Sequence, residues 1–331
     1  MNKKWITLLF SFSLCFCMSC SDSESDKKEE GKVEEEKPVT VLSKTVPLAD
    51  PYILVHDSLY YIYGTNVGTG FDVYYSKDLE YWERASALSL SHANSYGESM
   101  FWAPEVYYVE KDKKFYMFYS TEEHICVATA DSPLGPFKQD EHKPIREEKS
   151  IDTSVFFDED GKAYLYFVRF NDGNVIWCAE LKEDLNEIKE ETLTQCFKAE
   201  EPWELVLPKV VEGPSVFKQN GVYYLIYSAN GYTSQDYAVG FATSDSPFGP
   251  WKKYEGNPVL HKCDGLVGVG HGAPFVDMKG KMRYVFDAHK SESDIHPRNS
   301  FVVDMFVKDS IVSLGGNIVR PMVVDRLPSG K

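Results

Sequence analysis

Apolar and polar residues alternate in short runs along most of this chain, and from Pro47 onward the runs repeat. Five segments share one layout: DPYILVHDSLYYIYG from residue 50, APEVYYVEKDKKFYMFYS from 103, DTSVFFDEDGKAYLYF from 152, GPSVFKQNGVYYLIYS from 213 and APFVDMKGKMRYVFDAH from 273. Each reads as a strand, a polar turn and a second strand rich in aromatic residues. The turns fall at His56-Asp57, Asp112-Lys113, Asp160-Gly161, Asn220-Gly221 and Lys279-Gly280, residue types that suit tight hairpins. Between hairpins a second unit recurs, ending in an aromatic residue at Trp82, Phe137 and Trp251. Several short strands per unit, repeated at a period of about fifty to sixty residues with no sustained helical pattern, predict an all-β fold, a five-bladed β-propeller. A β-sandwich or jelly roll is the competing architecture, but neither requires five copies of one hairpin.

Composition agrees with strands over helices: 43% of the 331 residues are hydrophobic and 14% aromatic, mostly Tyr and Phe, and such rings suit a pleated, half-buried surface. The formal net charge of −16 repels phosphate backbones and anionic membranes, so nucleic acid is excluded as a partner and a neutral substrate is expected.

The first twenty residues carry an export pattern. Lys3 and Lys4 precede an apolar run over 5–18, then Ser19 and Cys20, and the run is too short to span a bilayer. Cys15, Cys17 and Cys20 resemble the end of a lipoprotein signal with Cys20 as the lipidated residue, although Cys17 and Met18 depart from the usual lipobox; ordinary secretion is the alternative. Residues 21–46 are expected to be an acidic, solvated linker, and 47–331 the propeller. This places the protein outside the cytoplasm, as an outer-membrane or cell-surface lipoprotein or in the periplasm, touching membrane only through a lipid on Cys20. Cys126, Cys178, Cys196 and Cys263 show no metal or redox spacing, so no disulfide framework is expected, and the chain is expected to act as a monomer.

In a propeller the innermost strand of each blade lines the axis, so the starts of the five first strands converge. That position holds Asp50, Trp102 to Pro104, Asp152, Glu212 and His271. Three are carboxylic acids from three different repeats. Cleaving a glycosidic bond takes one group to protonate the departing oxygen and another to activate water or attack the sugar, and a third acid can raise the proton donor's pKa. Each residue also has a plainer reading. An acid before Pro often only starts a turn, Asp152 could cap a strand end, Glu212 could be a solvated rim residue, His271 a core histidine, and Trp102 blade packing. The run Asp158-Glu159-Asp160 falls in a turn and is expected to face solvent.

Ala49-Asp50-Pro51, Phe101-Trp102-Ala103-Pro104-Glu105, Ile151-Asp152-Thr153-Ser154, Glu212-Gly213-Pro214-Ser215 and Gly270-His271-Gly272 together resemble glycoside hydrolase family 43, over roughly residues 47–325. The resemblance implies an inverting hydrolase with Asp50 as general base, Asp152 as pKa modulator and Glu212 as general acid. It implies substrate contacts from His271 and Arg298, with Trp102 as an apolar wall for the sugar, and a structural calcium ion near the axis at His271, no cofactor being required. The implied substrate is an arabinose- or xylose-containing oligo- or polysaccharide. α-L-Arabinofuranosidase activity is the first expectation, with β-xylosidase and endo-acting xylanase or arabinanase as alternatives. A fructan-cleaving propeller is disfavoured because the Asn-Asp-Pro-Asn and Glu-Cys motifs are absent; a non-catalytic glycan-binding propeller is the alternative of another class.

Overall fold

A computed structural model of the chain describes residues 40–328 except 207. The export signal expected over 1–20, the lipidation site at Cys20 and most of the 21–46 linker lie outside the described residues.

Beside a two-stranded ribbon of Gly70–Phe71 and Leu90–Ser91, five larger sheets follow in chain order, which we number blades I to V. Their innermost strands are Ala49–His56, Trp102–Val109, Ser150–Phe157, Val211–Gln219 and Gly270–Val276. Each pairs antiparallel with the next strand through a hairpin. The blade I turn is Asp57-Ser58, one residue later than the sequence reading placed it, with φ of 46° and 60°; in blade IV Asn220-Gly221 takes 52° and 80°. Two successive positive φ values match the right-handed twist of the flanking strands, which is why Asn-Gly serves there.

Successive residues of each second strand face opposite neighbours. In blade I, Tyr61 and Tyr63 pack towards blade II, whereas Tyr60 and Ile62 pack towards blade V. In blade III, Leu165 and Phe167 join blade II, while Tyr164 and Tyr166 join blade IV. In blade V, Tyr284 and Phe286 join blade IV, and Val285 joins blade I. Five apolar cores therefore lie between five pairs of neighbouring blades, and the last returns to the first. Both faces of every blade are buried, so the second strands read as near-continuous apolar runs rich in aromatic residues.

Blade II has three strands, blades III to V have four, and the sheet of blade I has six. The extra strands come from both ends of the described chain. Met322–Val324 lies parallel to Tyr81–Arg84, and Val41–Thr45 pairs antiparallel with it. Val41–Thr45 falls inside the segment expected to be a solvated linker, which corrects that boundary. Val41 and Leu42 are both exposed, so the strand is held by main-chain pairing and its apolar residues gave no burial signal. Asp158, expected in solvent, is also corrected: it accepts from Lys218 at 2.8 Å and from Tyr223 at 2.5 Å, fastening blade III to blade IV.

Candidate active site

Each innermost strand loses register near its start, between Ala49 and Tyr52, Trp102 and Glu105, Ile151 and Ser154, Glu212 and Ser215, and Gly270 and Ala273. One residue in each break adopts a left-handed backbone: Asp50 (φ 50°), Ala103 (46°), Asp152 (58°), Gly213 (55°) and His271 (29°). A bulge of this kind re-aims a side chain and frees an amide from the ladder; Asp accepts the conformation better than most residues. The freed amides go to the end of the preceding blade's second strand. Ala103 N–H donates to Thr65 Oγ1 (2.9 Å), Asp152 N–H to Ser120 Oγ (2.9 Å), His271 N–H to Ser228 Oγ (2.8 Å) and Asp50 N–H to Asp287 Oδ2 (2.7 Å). In blade III the corresponding position, opposite Ile151, is Val168, which has no acceptor. Gly213 N–H donates instead to Asp152 Oδ2 at 3.1 Å.

The bulges bring the predicted residues together. His271 Nδ1 lies 3.2 Å from Asp50 Oδ1 and 3.8 Å from Asp152 Oδ2. Arg298 Nη1 donates to Asp50 Oδ1 at 2.9 Å and Nη2 to Asp50 Oδ2 at 3.2 Å, a bidentate pair. Thr65 Oγ1 donates to Asp50 Oδ2 at 2.7 Å. Burial alone would raise the Asp50 pKa, but Arg298 and His271 beside it hold this carboxyl well below the usual range. Asp50 is thus ionised at any working pH. His271 is driven the other way: burial opposes its charge, yet Asp152 and Asp50 raise it to about 10, so it stands as an imidazolium.

Glu212 does not share the register of the other two acids, as the repeat alignment had suggested. It precedes the left-handed residue by one and pairs across from Ser228, so it approaches from the strand's regular face. Tyr237 O–H donates to its Oε1 and Asn174 Nδ2 to its Oε2, both at 2.9 Å. Burial first, then the charge of Asp152, push the Glu212 pKa up to about 7 against the pull of His271. Asp152 is itself raised by burial and by Asp50, with His271 opposing. One acid that rests protonated and one carboxylate that rests ionised therefore face a single cluster, the division of labour that acid–base hydrolysis of an acetal needs.

Trp102 is half-buried and holds on blade II the register position that Glu212 holds on blade IV, opposite Ser120. Arg298 is buried, with Nη1 and Nη2 turned to Asp50 and Asp287, and its guanidinium carbon lies 4.6 Å from the Tyr232 ring centre. The calcium expected at His271 does not fit a protein cage: Nδ1 is directed to two carboxylates on a protonated ring, and among the described residues no three His, Cys, Asp or Glu side chains are placed to hold an ion. Farther along the axis, Tyr52 and Tyr107 pack 5.4 Å apart, and Tyr107 donates to the buried Glu105. A cavity of about 150 Å³ beyond them opens at the other end of the strands, between Phe217, Phe275 and Met282. A larger one of about 380 Å³ lies at the outer edge of blade II by Lys138 and Glu187, away from the acids.

Sequence reasoning missed Asp287, Tyr237, Asn174 and Thr65. Of these only Thr65 and Asp287 left a trace, as the polar residue closing an aromatic strand.

A propeller with a proton-holding glutamic acid and an ionised aspartate at the start of its axial strands is the framework of a glycosidase acting on O-glycosyl compounds. The model of glycosyl hydrolases family 43 matches residues 41–303, and the chain belongs to that family. It is 54% identical to a crystal structure described as an endo-1,4-β-xylanase from Bacteroides thetaiotaomicron, with TM-score 0.83 over 86% of this chain and 99% of that one. A thermostable family-43 glycoside hydrolase structure matches at 33% identity and TM-score 0.77, over 85% of this chain and 97% of that one. Among curated relatives, a β-xylosidase of Xylanibacter ruminicola is 34% identical over 54% of this chain and 62% of its own length. A xylosidase/arabinosidase of Butyrivibrio fibrisolvens is 30% identical over 73% of this chain and 47% of its own length. The chain thus spans under two thirds of both.

Proposed function

We propose that this chain is an inverting hydrolase of xylosyl linkages in plant xylan. The observation that carries the reading is the opposed state of two carboxyls in one cluster, Glu212 raised to about 7 and Asp50 held ionised by Arg298 and His271. Asp50 takes a proton from water as that water attacks the anomeric carbon; Glu212 gives its proton to the departing oxygen as the glycosidic bond breaks. Asp152 keeps Glu212 protonated by its charge and fixes the adjacent Gly213 amide. Arg298 and His271 line the base, and Trp102 borders the sugar. A binding module would have no use for such a pair of acids.

Xylose is favoured over arabinose, the first expectation from sequence alone, by the 54% identity to a structure described as a xylanase. The arabinose reading retains support from the relative named xylosidase/arabinosidase and from an endo-arabinase structure of Bacteroides thetaiotaomicron, 26% identical with TM-score 0.70. We also propose that the enzyme is exported, is tethered through Cys20, acts as a monomer and needs no metal.

The test is hydrolysis of xylan, arabinan, 4-nitrophenyl β-D-xyloside and 4-nitrophenyl α-L-arabinofuranoside by the full chain beside Asp50→Ala and Glu212→Ala, with proton NMR of the first anomer released. Xylosyl release with inversion, abolished in Asp50→Ala, is expected. Retention, or turnover unchanged in both variants, would overturn the assignment.

A further inference from the structure

Asp50 receives two hydrogen bonds from Arg298, one from Thr65 and one from His271. Four donors, three of them on cations, make a firmly ionised carboxylate and a correspondingly poor proton acceptor. A fourth acid stands behind it. Asp287, on the second strand of blade V (Met282–Ala288), is fully buried, accepts the Asp50 amide at 2.7 Å and accepts from Arg298 Nη1 at 3.1 and 3.3 Å. Arg298, Asp50 and His271 face it with the phenols of Tyr237 and Tyr284. Asp152 reaches the group through His271.

The other blades act as internal controls. Thr65, Ser120 and Ser228 hold the equivalent amides with neutral hydroxyls at 2.8–2.9 Å, so holding a main-chain N–H needs no charge. Blade V alone places a carboxylate there, and it is the blade that serves the amide of Asp50 and shares its arginine. Burial, opposed by Arg298, pushes the Asp287 carboxyl up to about 7, so its charge is costly to hold and is present from neutral pH upward, and the gain falls on Asp50.

The geometry points to Asp287 as a positioning residue of the reaction: it holds the main chain of Asp50 in its left-handed bulge and, by drawing on Arg298, keeps Asp50 basic enough to accept a proton from water. This rests on the reading of Asp50 as the base.

Asp287→Ser supplies the hydroxyl that the other blades use and deletes the charge; Asp287→Asn deletes the charge alone. In the full chain both are expected to lower kcat on xylan roughly ten- to hundredfold with KM within about twofold, and to lower the imidazole titration midpoint of His271 read by ¹⁵N NMR. Wild-type kcat in Asp287→Ser, or a loss confined to KM, would overturn the inference. An unmoved His271 midpoint would overturn it with no substrate involved, so it is decided even if the wild type hydrolyses none of the pentose substrates, a result that would instead sink the proposed function.

Discussion

Replacing Glu212 by Gln separates the acid's chemical task from its structural cost. Gln keeps the shape of the side chain: its carbonyl can accept from Asn174 Nδ2, and its amide can donate to the Tyr237 hydroxyl, which also accepts. What it loses is the exchangeable proton. A wild-type acid titrating at about 7 gives an alkaline limb near that pH in kcat/KM, and the limb should vanish in Glu212→Gln. Xylan hydrolysis should fall about 10²- to 10⁴-fold, whereas a 4-nitrophenyl glycoside, whose phenolate departs without a proton, should lose far less. Stability should move the opposite way. A carboxyl raised from 4.5 to about 7 favours the folded state below its ordinary pKa and loses that contribution as pH rises through the folded value. The difference approaches about 3 kcal/mol at alkaline pH. Urea unfolding at pH 5 and pH 8 should therefore show the variant gaining on the wild type between the two. Equal losses on both substrates, or an alkaline limb that survives in the variant, would refute the reasoning.

Asp50→Asn should instead destabilise by about 3 kcal/mol, because Arg298 and His271 lose the charge they surround, and should abolish turnover even of nitrophenyl glycosides; calorimetry beside the rate assay checks both. Gly213→Ala should cost more than tenfold in kcat, since the residue has φ of 55° and a Cβ would lie 2.9 Å from the His271 ring, displacing Glu212 next to it. Val168→Thr should offer the missing blade III acceptor to the Gly213 amide. It is expected to reduce kcat by loosening Asp152 while costing about 1–2 kcal/mol of stability; unchanged kcat at wild-type stability would show that the gap in the ring is of no consequence.

Much of the architecture was legible because a propeller repeats its local chemistry. Hairpin turns such as Asn220-Gly221, the aromatic-rich second strands and the polar residue closing four of them recur, so Asp50, Asp152, Glu212 and His271 could be placed near one axis from the repeat, whereas Arg298 came only from the resemblance to the family. The offset of Glu212 was not legible, because a bulge adds a residue without disturbing composition and only backbone geometry tells the left-handed Asp152 from the extended Glu212. Asn174 and Tyr237 were hidden for another reason. They are contributed by blades III and IV outside the first strands, and only tertiary packing gives them a common partner. Val41–Thr45 escaped because a strand whose apolar side chains stay in solvent looks like the tether before it.

The way blade I is completed bears on how the chain comes to be folded. Its outer edge is supplied by Met322–Val324 and Val41–Thr45, some 280 residues apart in sequence, a loop whose closure costs chain entropy before any contact rewards it. During synthesis the first four blades can pair their own hairpins as they emerge, but blade I lacks its partner until residue 324 has left the ribosome. Asp50 sits in that blade, so the catalytic cluster and the ring are completed together, only once Met322–Val324 has emerged.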